Sequence, residues 1–173
     1  IAGKENSVNI SPVIWGPWRF PWNPGSENRG SEYGFRSWMY PPDFDVYGFV
    51  YDPAAPADQA DFPEVTLHWR VSDDGRTAPQ YDNRIYAGAT GIGEWRNIPM
   101  QKEERFSRIN LFGVTPELKS RQFPLFVHAH LAGPEGNALV DYYIEARNKN
   151  GQKTLSPISH VWIGDAGSTS SSP

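Results

Sequence analysis

Residues 64–72 alternate without a break, with Val65, Leu67, Trp69 and Val71 apolar and Thr66, His68 and Arg70 polar between them. A period of two sends successive side chains to opposite faces, so this stretch is a strand with one buried side, and Trp69 belongs to the core. Asp73, Asp74 and Gly75 then turn the chain. The pattern returns at 123–131, where Phe123, Leu125, Val127, Ala129 and Leu131 oppose Phe126, His128 and His130. It returns again in the row Val140, Tyr142, Ile144 and Ala146, which leads through Asn148, Lys149, Asn150 and Gly151 into a final strand carrying Ile158, His160 and Trp162, a hairpin. In 43–51, Phe44, Val46, Gly48 and Val50 oppose Tyr47, Phe49 and Tyr51, so both faces are apolar and both are expected to be covered. Short strands near 9–14, 97–100 and 108–112 complete the set, and no amphipathic helix of ordinary length is evident. The fold class is all-β, an antiparallel immunoglobulin-like β-sandwich.

Residues 11–42 break this pattern. Trp15, Trp18, Phe20, Trp22, Tyr33, Phe35, Trp38 and Tyr40 stand among Pro12, Pro17, Pro21, Pro24, Pro41 and Pro42. Proline removes amide donors and fixes φ, so the segment reads as a long, stiff, aromatic- and proline-rich N-terminal loop. Long loops in compact domains are often functional, and rigidly held rings suit sugar rings or a protein partner. Packing of the same rings as a lid over the sandwich end is the competing reading. In the binding reading, Trp18, Trp22, Tyr33 and Trp38 stack on sugars while Arg19, Asn23, Asn28 and Arg36 bond hydroxyls. Trp95 follows Gly91 and Gly93 in a second loop, where it caps the core or adds a further sugar contact.

The chain of 173 residues fits one domain, with 1–163 as the module and 164–173, GDAGSTSSSP, as a flexible linker. A net charge of -4 argues against a nucleic-acid partner, and no apolar run reaches membrane-spanning length. Without cysteine there is no disulfide or thiolate chemistry. A monomer is expected.

No acidic pair stands out as a glycosidase dyad: Asp73 and Asp74 read as turn formers, and Glu103 and Glu104 as a solvated pair. A metal could draw on His128 and His130, joined by His68 or an aspartate, but any two outward strand residues share that spacing. His160 follows Ser159, yet no G-x-S-x-G turn accompanies it. Structural calcium on Asp43, Asp45 and Asp52 is permitted without a complete ligand pattern. The residues therefore assign no catalytic group, no metal and no cofactor.

Several segments together carry a resemblance: NPGSENRG with EYGF at 23–35, DFDVYGFVYD at 43–52, VTLHWRVSDDG at 65–75, YAGATGIGEW before Met100, and DYYIEARNKNGQKTLSPISHVWIGD at 141–165. They resemble the β-sandwich module found beside catalytic domains in bacterial amylolytic enzymes, notably extracellular α-amylases of glycoside hydrolase family 57. The resemblance runs over most of 11–165. It implies a non-catalytic module of a secreted enzyme that binds starch or a related α-glucan, or one that spaces and stabilises the tethered catalytic domain. It supplies no mapped sugar site.

Overall fold

The computed structural model describes residues 10–25, 27–28, 38–53, 64–72, 94–102, 125–134 and 138–164. Its strands are β1 (Val13–Phe20), β2 (Glu27–Asn28), β3 (Trp38–Met39), β4 (Phe44–Tyr51), β5 (Glu64–Val71), β6 (Arg96–Pro99), β7 (Gln101–Lys102), β8 (Leu125–Leu131), β9 (Ala138–Arg147), β10 (Lys153–Leu155) and β11 (Ser159–Ile163). One antiparallel sheet has the order β1-β4-β8-β7, and the facing sheet has β10-β9-β5-β6 with β11 also on β9. Among the described residues there is no helix, and a short ribbon pairs β2 with β3. The expected sandwich is present. The expected strand near 108–112, Phe123 and the linker at 164–173 beyond Gly164 lie outside the described residues.

The core follows the alternation read from the sequence. Phe44, Val46 and Val50 of β4 and Val127, Ala129 and Leu131 of β8 face Val65, Leu67 and Trp69 of β5 and Val140, Tyr142, Ile144 and Ala146 of β9. Gly48 sits in this inner row because the sheets close tightly there. A Cβ on it would stand 2.9 Å from the Trp15 carbonyl oxygen and 3.0 Å from Ile144 Cδ1.

Two expectations need correction. The first part of the proline-rich segment is not loop but the edge strand β1, paired with β4 from Val13↔Tyr51 to Phe20↔Asp45. An edge position leaves one row of backbone groups unpaired, which accommodates a residue without N–H. Between Trp15 and Trp18 the register shifts, so Gly16 and Pro17 form an irregularity there, with Gly16 at a φ of 123°. Side-chain and backbone bonds then tie β1 and its flanks to the edge of the second sheet. Asn148 Nδ2 donates to the Ile10 carbonyl at 3.2 Å, the Thr154 hydroxyl donates to the Pro12 carbonyl, and Gly164 N–H donates to the Pro24 carbonyl at 3.1 Å.

The second correction concerns the last strand, which is two. β10 closes a hairpin through the Asn148 turn, where Asn148 Oδ1 accepts from the Asn150 and Gln152 amides at 3.1 and 3.0 Å. The chain then leaves the ladder at Ser156 and Pro157 and rejoins β9 as β11, from Ser159↔Tyr142 to Ile163↔Ala138. Proline cannot donate to a ladder. The Ser156 hydroxyl fills the gap by accepting from Ile144 N–H at 2.8 Å.

Candidate functional site

The register of β1 decides where its rings go. In a regular strand Trp15 and Trp18, three positions apart, would face opposite ways; the irregularity at Gly16 and Pro17 returns both to one side. That side is the outer face of the first sheet. Val13, Trp15, Trp18 and Phe20 pair there with Tyr51, Phe49, Tyr47 and Asp45 of β4, and beyond them stand Phe126, His128 and His130 of β8. The rings rest on one another. Trp18 stacks with Tyr47 at 6.1 Å and meets Phe49 edge-on at 5.8 Å, while Phe126 lies 5.9 Å from Tyr47 and 5.5 Å from Phe49. The second apolar face of β4, expected to be covered, is thus the half-buried floor of an aromatic surface. Its open members are Trp15 at 47% exposed, Trp18 at 41% and Phe20 at 64%.

Just past β1, Trp22 is 67% exposed yet held. The Arg19 guanidinium lies 4.1 Å from its ring centroid, and Arg19 Nε donates to the Trp22 carbonyl at 2.9 Å. The same guanidinium donates to the Tyr142 hydroxyl at 3.2 Å and reaches the His160 carbonyl at 3.5 Å. Burial pushes the Tyr142 phenol above its ordinary range, with the Arg19 charge opposing. Arg19, expected to bond a ligand, is therefore engaged inside the protein as a brace for Trp22. A ring fixed in this way loses little freedom when a ligand arrives.

The aromatic face ends in a polar rim beside Phe20. Asp45 Oδ1 stands 2.9 Å from His130 Nδ1 and 3.2 Å from His128 Nε2, and Asp43 Oδ2 stands 3.4 Å from His130 Nε2. The hydrogen bond to Asp45 is the largest cause raising His130 above the ordinary imidazole range; partial burial opposes it, and the Asp45 charge and Asp43 reinforce it. Asp43 also accepts from Gly133 N–H at 3.2 Å. His68 does not join this group, because it lies on the other sheet and stacks on Tyr143 at 4.7 Å. Among the described residues no group of three or more His, Cys, Asp or Glu is arranged to hold a metal.

Of the remaining sequence candidates, Asn23 is exposed one residue beyond Trp22. Asn28 and Trp38 are opposite one another in the β2–β3 ribbon, and Tyr33 and Arg36 lie outside the described residues. Trp95 is remote from the aromatic face: it packs edge-on against Tyr143 at 4.8 Å, with the Arg70 guanidinium 5.3 Å from its ring, on the outer side of the second sheet. The structure adds Trp15 and Phe20 to the face. Their signal is an alternation interrupted by Gly16 and Pro17, which a strict period of two does not register.

The Ser159–His160 pair, which the sequence already leaves without a G-x-S-x-G turn, divides across the sheet. Ser159 shares the inward side of β11 with Val161 and Ile163, while His160 faces outward to Asp141. The two side chains cannot cooperate across a strand.

Comparison with known proteins adds one relationship. The chain is similar to part of an amylase. It is 29% identical to an alpha-amylase of Niallia circulans over 186 aligned residues, which take in 95% of this chain and 14% of the amylase. The chain thus spans a minor share of that relative's length. No family model matches the chain, and no solved structure matches it.

Proposed function

We propose that this chain is a non-catalytic carbohydrate-binding module for starch or a related α-glucan, carried by an extracellular amylolytic enzyme such as the family 57 α-amylases it resembles. The observation that carries the reading is the open aromatic row of β1 and Trp22, supported from behind by Tyr47, Phe49 and the Arg19 guanidinium. Similarity to a small part of a bacterial alpha-amylase supports both the modular role and the choice of an α-glucan. Indole faces stack on the apolar faces of pyranose rings, and the Asp45 and His130 rim and exposed Asn23 offer partners for hydroxyls.

The test is depletion of the protein from solution by granular starch, glycogen and an unrelated insoluble β-glucan, for the parent and for Trp15→Ala, Trp18→Ala and Trp22→Ala. Retention on starch that these variants lose while melting near the parent temperature is the expected result. Equal retention by all three would remove the face from the site.

A second reading is favoured by one feature, the continuity of the apolar face across β1, β4 and β8. A structural spacer would dock that face on the tethered catalytic domain. It would bind no glycan alone, and its exposed rings would become protected when the catalytic domain is added.

A further inference from the structure

The outer side of the second sheet carries a charged row that neither the core nor the aromatic face uses. Arg70 on β5, Asp141 on β9 and His160 on β11 stand directly across from one another on adjacent strands. Arg70 donates to Asp141 Oδ2 from Nε at 3.0 Å and from a terminal nitrogen at 2.7 Å, and Asp141 Oδ1 lies 2.6 Å from His160 Nδ1. Asp141 is fully buried and Arg70 nearly so. Burying such a pair gains little stability over apolar packing, so its definite consequence here is orientation. With Nδ1 committed to the carboxylate, Nε2 is the ring nitrogen left to meet a ligand, and the His160 side chain is 23% exposed. Two residues along the same outward face stands Trp162, 41% exposed.

This row reaches the edge where Trp22 sits. The Arg19 guanidinium donates to the Trp22 carbonyl at 2.9 Å and reaches the His160 carbonyl at 3.5 Å, which brings the two backbones to one side chain. The bond from Gly164 N–H to the Pro24 carbonyl runs the Trp22 loop along the end of β11.

We infer that the β11 edge is a further glycan subsite, in which Trp162 stacks on a sugar ring and His160 Nε2 hydrogen-bonds a hydroxyl, with Asp141 and Arg70 as positioning residues. The ligand class is a neutral, hydroxyl-rich chain. The Arg70 and Asp141 charges cancel, so no net charge favours a phosphate or carboxylate, whereas a single directed ring nitrogen suits a hydroxyl that both donates and accepts. The inference rests on the proposed glycan-binding role and extends it around the edge from Trp22.

The experiment titrates maltoheptaose into the full chain by calorimetry, with thermal melting of every variant alongside. Trp162→Ala removes an exposed ring. His160→Asn places an amide near the former Nδ1, keeping a donor for Asp141 while deleting Nε2, whereas His160→Gln places its amide near the former Nε2. Trp162→Ala and His160→Asn are each expected to weaken binding by about tenfold, the worth of one hydrogen bond or ring contact, with melting close to the parent. His160→Gln is expected to retain more affinity than His160→Asn. If Trp22→Ala weakens binding but Trp162→Ala and His160→Asn bind like the parent, the subsite is refuted and the module's role stands. If the parent binds neither maltoheptaose nor starch, the glycan-binding role itself falls, and the subsite with it.

Discussion

Gly48→Ala reports on whether β1 lies where the structure places it. The added methyl would approach the Trp15 carbonyl oxygen to 2.9 Å and Ile144 Cδ1 to 3.0 Å, so it strains the β1 pairing and the sheet interface together. Overpacking of this kind costs about 1–3 kcal/mol, and the reduced freedom of the unfolded chain returns roughly 0.5–1 kcal/mol. Two approaches at or below 3.0 Å, one of them to backbone, place this site in the upper half of that cost, about 2–3 kcal/mol, so the net destabilisation is about 1–2.5 kcal/mol. For a chain of this size that corresponds to a fall in melting temperature of roughly 2–10 °C. Ile144→Val alone costs about 0.5–1.5 kcal/mol, yet it removes the very atom that the new methyl meets. Combined with Gly48→Ala it should cost less than the sum of the single changes, with a coupling above the ~0.5 kcal/mol scatter expected of independent sites. The Trp15 carbonyl is backbone and cannot be trimmed. The double variant should therefore still show weakened starch retention, because the Trp15–Trp18 stretch must shift. Thermal unfolding of the four proteins followed by circular dichroism is the assay. A Gly48→Ala protein that melts at or above the parent temperature would refute the packing of β1 over Gly48, and strict additivity with Ile144→Val would refute the contact with Ile144 across the sheets.

Trp69→Ala removes a buried ring from the inner row of β5 and should cost about 3–5 kcal/mol, read as a lower denaturation midpoint. Asp141→Ala strands the buried Arg70 and should cost about 3–5 kcal/mol, while adding Arg70→Met should recover a large part of that loss in the same unfolding assay. His130 is raised above its ordinary range by Asp45 and Asp43, so its stabilising contribution is complete below the unfolded value of about 6.5 and is lost as pH rises through the folded value. The melting difference between parent and His130→Gln should therefore be present at acidic pH and shrink toward alkaline pH. A difference that grows with pH would contradict the Asp45 contact. The effect is small because the ring is more than half exposed.

Much of the candidate site was visible as residue types and little of it as geometry. Trp18 and Trp22 are open rings, as expected of them, and Trp69 is core. Arg19 carries hydroxyl-bonding chemistry, but its distant partners, Tyr142 and the His160 carbonyl, are more than a hundred residues away, and no local pattern announces them. Trp95 was legible as a ring in a glycine-rich stretch, whereas its packing on Tyr143 depends on which strand lies beside it. The Asp45–His130 contact spans 85 positions for the same reason.

The sequence by itself determined the sidedness of β4, β5, β8 and β9, because alternation is a property of neighbouring residues and a strand sends them to opposite faces whatever it pairs with. Only the tertiary structure decided what each side meets. The shift at Gly16 and Pro17 reset the parity of β1 and gathered Trp15, Trp18 and Phe20 onto one face, and the break at Pro157 divided the last strand so that β11 could set His160 against Asp141. Pairing placed His68 on a different sheet from His128 and His130. Register and layer are set by contacts between distant segments, and a local period carries no record of them.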